Sequence, residues 1–196
     1  MASLLEQNDS SKLFLTAVNK LLRSINEPPI ETEEDISELL EASTAASTLI
    51  ETKREVLTEG WNFNVDKAWA FPPDEQGYIT IPQNVLDISS PDGDLIMRDW
   101  RLYSRSAQSA IFDEAQELDV IWDTDFNGLT HPIRNYITIR AMRIFQAEQI
   151  MDTDVYAYTA DDEQQAYVLA RRSEGRTKKY NMLSSTFGNN FNVRPS

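Results

Sequence analysis

The sequence predicts an α+β protein: a four-helix bundle formed by N- and C-terminal helix pairs, an inserted antiparallel β module, and an extended C-terminal arm. Three observations carry this. Apolar residues recur at helical spacing before residue 60 and again after 130. Between those stretches the period falls to two, and all four tryptophans, Trp61, Trp69, Trp100 and Trp122, lie there. Beyond 178 no period remains. The expected division is 1–60 and 130–178 for the bundle, 61–129 for the β module, and 179–196 for a docking arm. With 196 residues the chain can bury roughly 70% of its unfolded surface without a covalent staple.

The first helix is expected over 11–25, with Phe14, Val18, Leu21, Leu22 and Ile25 on one face and Ser10 or Ser11 as cap. Pro28 and Pro29 end it. The second is expected to start after Thr32, because Thr32-Glu33-Glu34-Asp35 is close to a capping box with Asp at the reciprocal position. Its apolar positions are Ile36, Leu39, Leu40, Ile50 and Leu57. Its middle is small (Ala42, Ser43, Ala45, Ala46, Ser47), which permits close helix packing, and Gly60 is placed to end it.

From Trp61 the pattern is strand-like: Trp61, Phe63 and Val65 alternate with Asn62, Asn64 and Asp66. Further strands are expected at 78–81, 95–97, 101–103 and 118–122. The Pro72–Gly77 cluster reads as a turn, and Pro91-Asp92-Gly93-Asp94 as a hairpin turn. After Gly128, Thr130 caps a helix with Pro132 in its first turn and Ile133, Tyr136, Ile137, Ile144 and Phe145 inward. A break at 151–154 precedes a last helix at about 155–177, with Tyr156, Ala160, Tyr167 and Ala170 as its apolar stripe.

Composition excludes several kinds of chemistry. There is no cysteine, which removes disulfides, zinc fingers, iron–sulfur sites and thiol nucleophiles. One histidine, His131, leaves little for a His-rich metal site or a triad. It reads as a residue of a helix first turn. No apolar run is long enough to span a membrane. The N-terminal residues lack the basic flank and apolar stretch of a secretory signal, so a cytoplasmic chain is expected. P-loop, dinucleotide and nucleophile-elbow motifs are missing. No cofactor is implied.

Asp123-Thr124-Asp125-Phe126-Asn127-Gly128 matches the first half of a calcium loop. Arg134 then stands where the bidentate Glu belongs, so a structural turn is the better reading. Asp92, Asp94, Asp99, Asp113, Glu114, Asp119 and Asp123 supply carboxylates for a hydrolase acting on polysaccharide. Close pairs arise by chance among 32 acids, so they specify nothing by themselves.

The charge is uneven. The net charge is −14, yet residues 171–196 carry +5 and the first 170 carry −19. An acidic body repels nucleic acid. The C-terminal stretch mixes cations (Arg171, Arg172, Arg176, Lys178, Lys179) with Tyr180, Asn181, Met182, Leu183, Phe187 and Phe191. Apolar anchors flanked by cations describe an arm that docks on an acidic partner. A solvated end, or a strand-stacking nucleic-acid segment, are the alternatives.

Three segments, in this order and spacing, carry a resemblance. They are Ala17-Val18-Asn19 through Ser24-Ile25-Asn26-Glu27-Pro28-Pro29, then Gly60-Trp61-Asn62-Phe63-Asn64, and Tyr180-Asn181-Met182-Leu183. With them the chain resembles the tail tubular protein A family of T7-like short-tailed phages, the adaptors of the head–tail junction. The resemblance implies a non-enzymatic virion protein of the tail, assembled in the host cytoplasm. It implies a dodecameric ring beneath the portal protein, with the helical part and the arm toward the portal. The β part would face the nozzle protein (tail tubular protein B) and the tail fibre protein. DNA would pass through the lumen during ejection without sequence-specific binding, and no membrane is involved. Residues 75–125 carry the least of the resemblance.

Overall fold

The computed structural model describes residues 2–149 and 160–175, with side chains from residue 12 onward. It is an α+β chain whose strands all pair antiparallel. It divides into two compact units, residues 1–52 with 126–196, and residues 53–125.

The first unit is helical. Helix α1 runs Ala2–Ser24, well upstream of the expected start, so Ser10 and Ser11 lie inside it rather than capping it. No proline or glycine interrupts residues 2–11, and their modest helix penalties are too small to stop propagation. Its buried face is Ala17, Val18, Leu21 and Leu22. Its end is a Schellman motif: Glu27 N–H donates to Leu22 O (3.0 Å) and Asn26 N–H to Arg23 O (3.1 Å). Asn26 takes the left-handed conformation that this motif requires, at φ 64°.

The expected second helix is broken in two. Helix α2 is a single turn, Asp35–Glu38, and α3 runs Leu40–Thr58, with Leu39 extended between them (φ −113°, ψ 126°). The reciprocal Thr32/Asp35 pair does form. Asp35 Oδ2 accepts from Thr32 N–H at 2.8 Å, and Thr32 Oγ1 accepts from Asp35 N–H at 3.4 Å. The break turns Leu39 and Leu40 outward, 47% and 77% exposed, and Ile50 is also exposed. The buried stripe here is Ala42, Ala45, Ala46 and Leu49; the last turns of α3, from Lys53, belong to the second unit, where Val56 and the expected Leu57 are buried.

Helix α4, His131–Gln149, follows a 3-10 turn at Phe126–Gly128. Thr130 is its cap residue, since Arg134 N–H donates to Thr130 O at 3.0 Å. The helix buries Ile133, Tyr136, Ile137, Ala141 and Phe145, and packs on α1. A helix α5 occupies 160–175. Tyr136 of α4 meets Tyr167 of α5 edge-on at 5.3 Å. Glu163 of α5 pairs with both Arg140 and Arg143 of α4. Ala166 and Ala170 are buried, while Ala160 is exposed. The expected break at 151–154 and Tyr156 lie outside the described residues.

In the second unit, β1 (Val65–Phe71), β2 (Val85–Ser89) and β5 (Gln116–Trp122) form one sheet in the order β1-β5-β2. Strands β3 (Leu95–Arg98) and β4 (Arg101–Ser104) form a separate hairpin. The core is Phe71, Ile79, Ile81, Val85, Leu102, Leu118 and Val120. Residues 78–81 are not a strand. They make isolated bridges only, Tyr78 to Ile111 and Thr80 to Arg101, although Ile79 and Ile81 are fully buried. The Pro91–Asp94 turn is present, but it joins β2 to β3 across the two sheets and closes no hairpin. Gly77 sits at φ +83° in the turn before Tyr78, where an added Cβ would lie 2.8 Å from Ile111 Cγ2.

Candidate functional site

The segments that carry the resemblance are structural clamps where the structure describes them. Asn19 grips the chain after α1 at two points: its Nδ2 donates to Ile30 O at 2.9 Å, and its Oδ1 accepts from Ile30 N–H at 2.8 Å. This fixes the Pro28-Pro29 segment back against α1. In Gly60-Trp61-Asn62-Phe63-Asn64 the expected alternation is absent, because 61–64 is a turn and the strand starts at Val65. Asn64 organises that turn. Its Oδ1 accepts from Trp61 N–H (2.8 Å), and its Nδ2 donates to Leu57 O (3.0 Å) and Trp122 O (2.9 Å). The end of α3, the turn and the end of β5 therefore meet on one buried amide. Trp61 is fully buried and its Nε1 donates to Val56 O at 2.7 Å.

Of the expected docking residues, Arg171 and Arg172 are described. Both lie on α5. Arg171 is engaged within its own helix: Nε donates to Tyr167 Oη at 3.0 Å, and Nη1 stands 3.8 Å from Glu174 Oε2. Arg172 is exposed. Arg176, Lys178, Lys179, Tyr180, Asn181, Met182, Leu183, Phe187 and Phe191 lie outside the described residues.

Four of the seven carboxylates offered for hydrolysis, Asp92, Asp94, Asp119 and Asp123, are engaged in turns and ion pairs. Asp92 is held below the ordinary carboxyl range chiefly by the N–H of Asp94, with the Ser90 hydroxyl next. Asp94 is lowered first by the Ser104 hydroxyl (2.6 Å), then by Ser106. Asp119 is lowered first by Lys67, 2.6 Å away, and then by Ala68 N–H. A general acid needs the opposite perturbation. Asp123 takes Lys53 at 2.7 Å and Arg54 at 3.2 Å.

The calcium-loop fragment is likewise a turn. The Arg134 guanidinium donates to the main-chain carbonyls of Asn127 (3.1 Å) and Leu129, placing a cation on the Leu129 oxygen, which a metal would need as its seventh-position ligand. His131 opens α4 and is exposed beside Lys20 and Arg134 on the rim of a shallow cleft.

One feature is not readable from sequence patterns. The β3–β4 hairpin turns through Asp99 and Trp100, both at positive φ (50° and 60°), the signature of a type I′ turn without its usual Asn or Gly. This lifts Trp100 out, 42% exposed, between Arg98 and Arg101, which pair in register. Arg98 lies over the Tyr103 ring at 4.0 Å and Arg101 over Tyr78 at 4.6 Å. Such stacking holds a guanidinium in place while leaving its edge donors free.

The model of one protein family, described as tail tubular protein, matches residues 15–180. The chain belongs to the tail tubular protein family. This tail tubular protein is also 31% identical over 103 residues to tail tubular protein A of Klebsiella phage KP34. That alignment covers 50% of the chain and spans about half, 55%, of the relative's length. The match runs through the Asn19 and Asn64 clamps and ends at Tyr180, the first residue of the third segment. The tail tubular protein is a structural component of a phage tail.

Proposed function

We propose that this tail tubular protein is the ring-forming adaptor between the portal and the tail nozzle, and that it lines the channel through which DNA is ejected. The family match over residues 15–180 carries this reading. The charge distribution supports it. A body at −19 repels phosphates and lets a duplex slide, whereas the +5 end is drawn to an acidic neighbour.

In this reading the helical parts, 1–60 and 130–178, close as a four-helix bundle toward the portal. The β module, 61–129, faces the nozzle protein and the tail fibre protein. The arm, 179–196, with Arg171 and Arg172 at its root, docks on the portal through Arg176, Lys178, Lys179, Tyr180, Asn181, Met182, Leu183, Phe187 and Phe191. Twelve copies would make the ring, so that arms of modest individual affinity act together through avidity. The subunit would join virions formed in the host cytoplasm. Among the described residues the carboxylates with perturbed titration, Asp35, Asp92, Asp94 and Asp119, are all lowered, which does not favour a hydrolase's general acid.

Truncation after residue 179 tests the reading. The shortened protein is expected to keep its melting temperature and to lose portal binding in sedimentation. Undiminished portal binding would refute the arm's role.

A further inference from the structure

The second unit carries six cationic side chains against fifteen acidic ones. Three of the six, Lys53, Arg54 and Lys67, are ion-paired with Asp123 or Asp119. Arg98 and Arg101 have no carboxylate partner among the described residues, and both lie on the hairpin tip with the exposed Trp100. Beside the tip lies a hollow of about 460 Å³ lined by Arg98, Asp99, Arg101, Leu102, Tyr103 and Ala110. The tip is tied to the core, since Ile81 N–H donates to Trp100 O at 2.8 Å and Leu102 N–H to Ile79 O at 2.9 Å. It is a held, arginine-and-aromatic projection in an acidic unit. That is the residue chemistry of an interface anchor for an acidic partner.

The same chain presents a surface of matching chemistry in its other unit. Residues 31–41 contain Glu31, Glu33, Glu34, Asp35, Glu38 and Glu41 with no cation. The five glutamates are exposed, and among the described residues none is in an ion pair. The break after α2 sets Leu39 and Leu40 outward among them. A leucine pair ringed by carboxylates complements a tryptophan flanked by arginines in both apolarity and charge.

We propose that the hairpin tip of one copy docks on segment 31–41 of a second copy, with Trp100 against Leu39 and Leu40 and with Arg98 and Arg101 among the glutamates. The contact is heterologous, so its repetition links copies head to tail, as a closed ring requires. It deepens the adaptor reading and rests on it, by naming the surfaces through which neighbouring subunits join. Nucleic acid is the weaker occupant, since segment 31–41 adds to its carboxylates an exposed apolar seat, Leu39 and Leu40, that a phosphate backbone does not offer.

The chain has no cysteine, so in a single variant the introduced thiol is the only one a copy carries. Leu40→Cys and Trp100→Cys proteins, full length, are mixed with portal and oxidised. A mixed disulfide between two chains is expected, along with ladders of linked copies from the double variant. A disulfide that closes only within one chain, or no mixed product, overturns the contact. Arg98→Glu/Arg101→Glu and Glu33→Lys/Glu34→Lys proteins are each expected to associate about tenfold or more weakly, and to recover when mixed. Recovery on mixing requires two copies and does not follow from misfolding. DNA retention that vanishes in Arg98→Glu/Arg101→Glu, with self-association unchanged, would reassign the tip to nucleic acid and overturn the proposal. Electron microscopy of the same mixtures separates the two failures. Rings without the mixed disulfide reject this contact, whereas no rings at all rejects the adaptor reading.

Discussion

Replacing Asn64 with Ala removes the amide on which the second unit is knotted. The side chain is 2% exposed and makes three hydrogen bonds, to Trp61 N–H, Leu57 O and Trp122 O. The substitution leaves three backbone groups in the interior without those partners. Each orphaned group costs about 1–3 kcal/mol. Taking the lower part of that range for each, the expected loss is about 3–4 kcal/mol, a large share of a typical domain's 5–15 kcal/mol. At roughly 2–4 °C per kcal/mol for a chain of this size, the melting temperature falls by about 10 °C. Urea unfolding followed by tryptophan fluorescence reads the loss directly, because Trp61 sits in the same knot. Asn64→Asp makes a sharper comparison. It keeps an acceptor for Trp61 N–H but turns a carboxylate toward two carbonyl oxygens, so it should be at least as damaging at neutral pH and partly relieved in acid. A loss below about 1 kcal/mol for Asn64→Ala would show that the amide does not hold α3's end to β5, and the reasoning would fail.

Two further outcomes follow from local geometry. The Asp94 carboxyl, held below its ordinary range first by the Ser104 hydroxyl and then by Ser106, contributes stability that is present above the unfolded carboxyl value near pH 4 and is lost as pH falls through the folded one. The melting-temperature gap between Asp94→Asn and the parent should therefore be widest at neutral pH and close in acid, and an equal gap at pH 7 and pH 3 would contradict this. Trp100 holds φ 60° in a turn that glycine adopts freely, so Trp100→Gly should stabilise the fold by about 1 kcal/mol in urea unfolding while weakening self-association. A clear loss of stability would show that the tryptophan packs rather than projects.

Much of the architecture is legible in the sequence because its signals are local. The periodicity of Val18, Leu21 and Leu22, the Thr130 cap and the β3, β4 and β5 runs each follow from neighbours in the chain, and the structure bears them out. The errors arise where long-range contacts decide. Trp61-Asn62-Phe63-Asn64 alternates like a strand but is a turn, because a buried Asn64 amide bonded to Trp122, distant in sequence, sets the backbone. Residues 78–81 have strand composition yet pair only at single bridges, since Tyr78 and Thr80 face different partners, Ile111 and Arg101. A helix continuous from Thr32 is what the capping box predicts, but Leu39 leaves the helical region after one turn. The hairpin tip carries no local signal in the sequence. Asp99-Trp100 lacks the glycine or asparagine that marks a type I′ turn, and the placing of Arg98 and Arg101 on either side of Trp100, with no ion pair among the described residues, shows only in the folded hairpin.

Electron microscopy of the purified chain mixed with its portal tests the central claim most directly. The adaptor account predicts a closed ring of copies seated on one face of the portal, with density for residues 179–196 reaching into it. A portal that stays bare, or copies attached with those residues pointing away from it, would contradict the account.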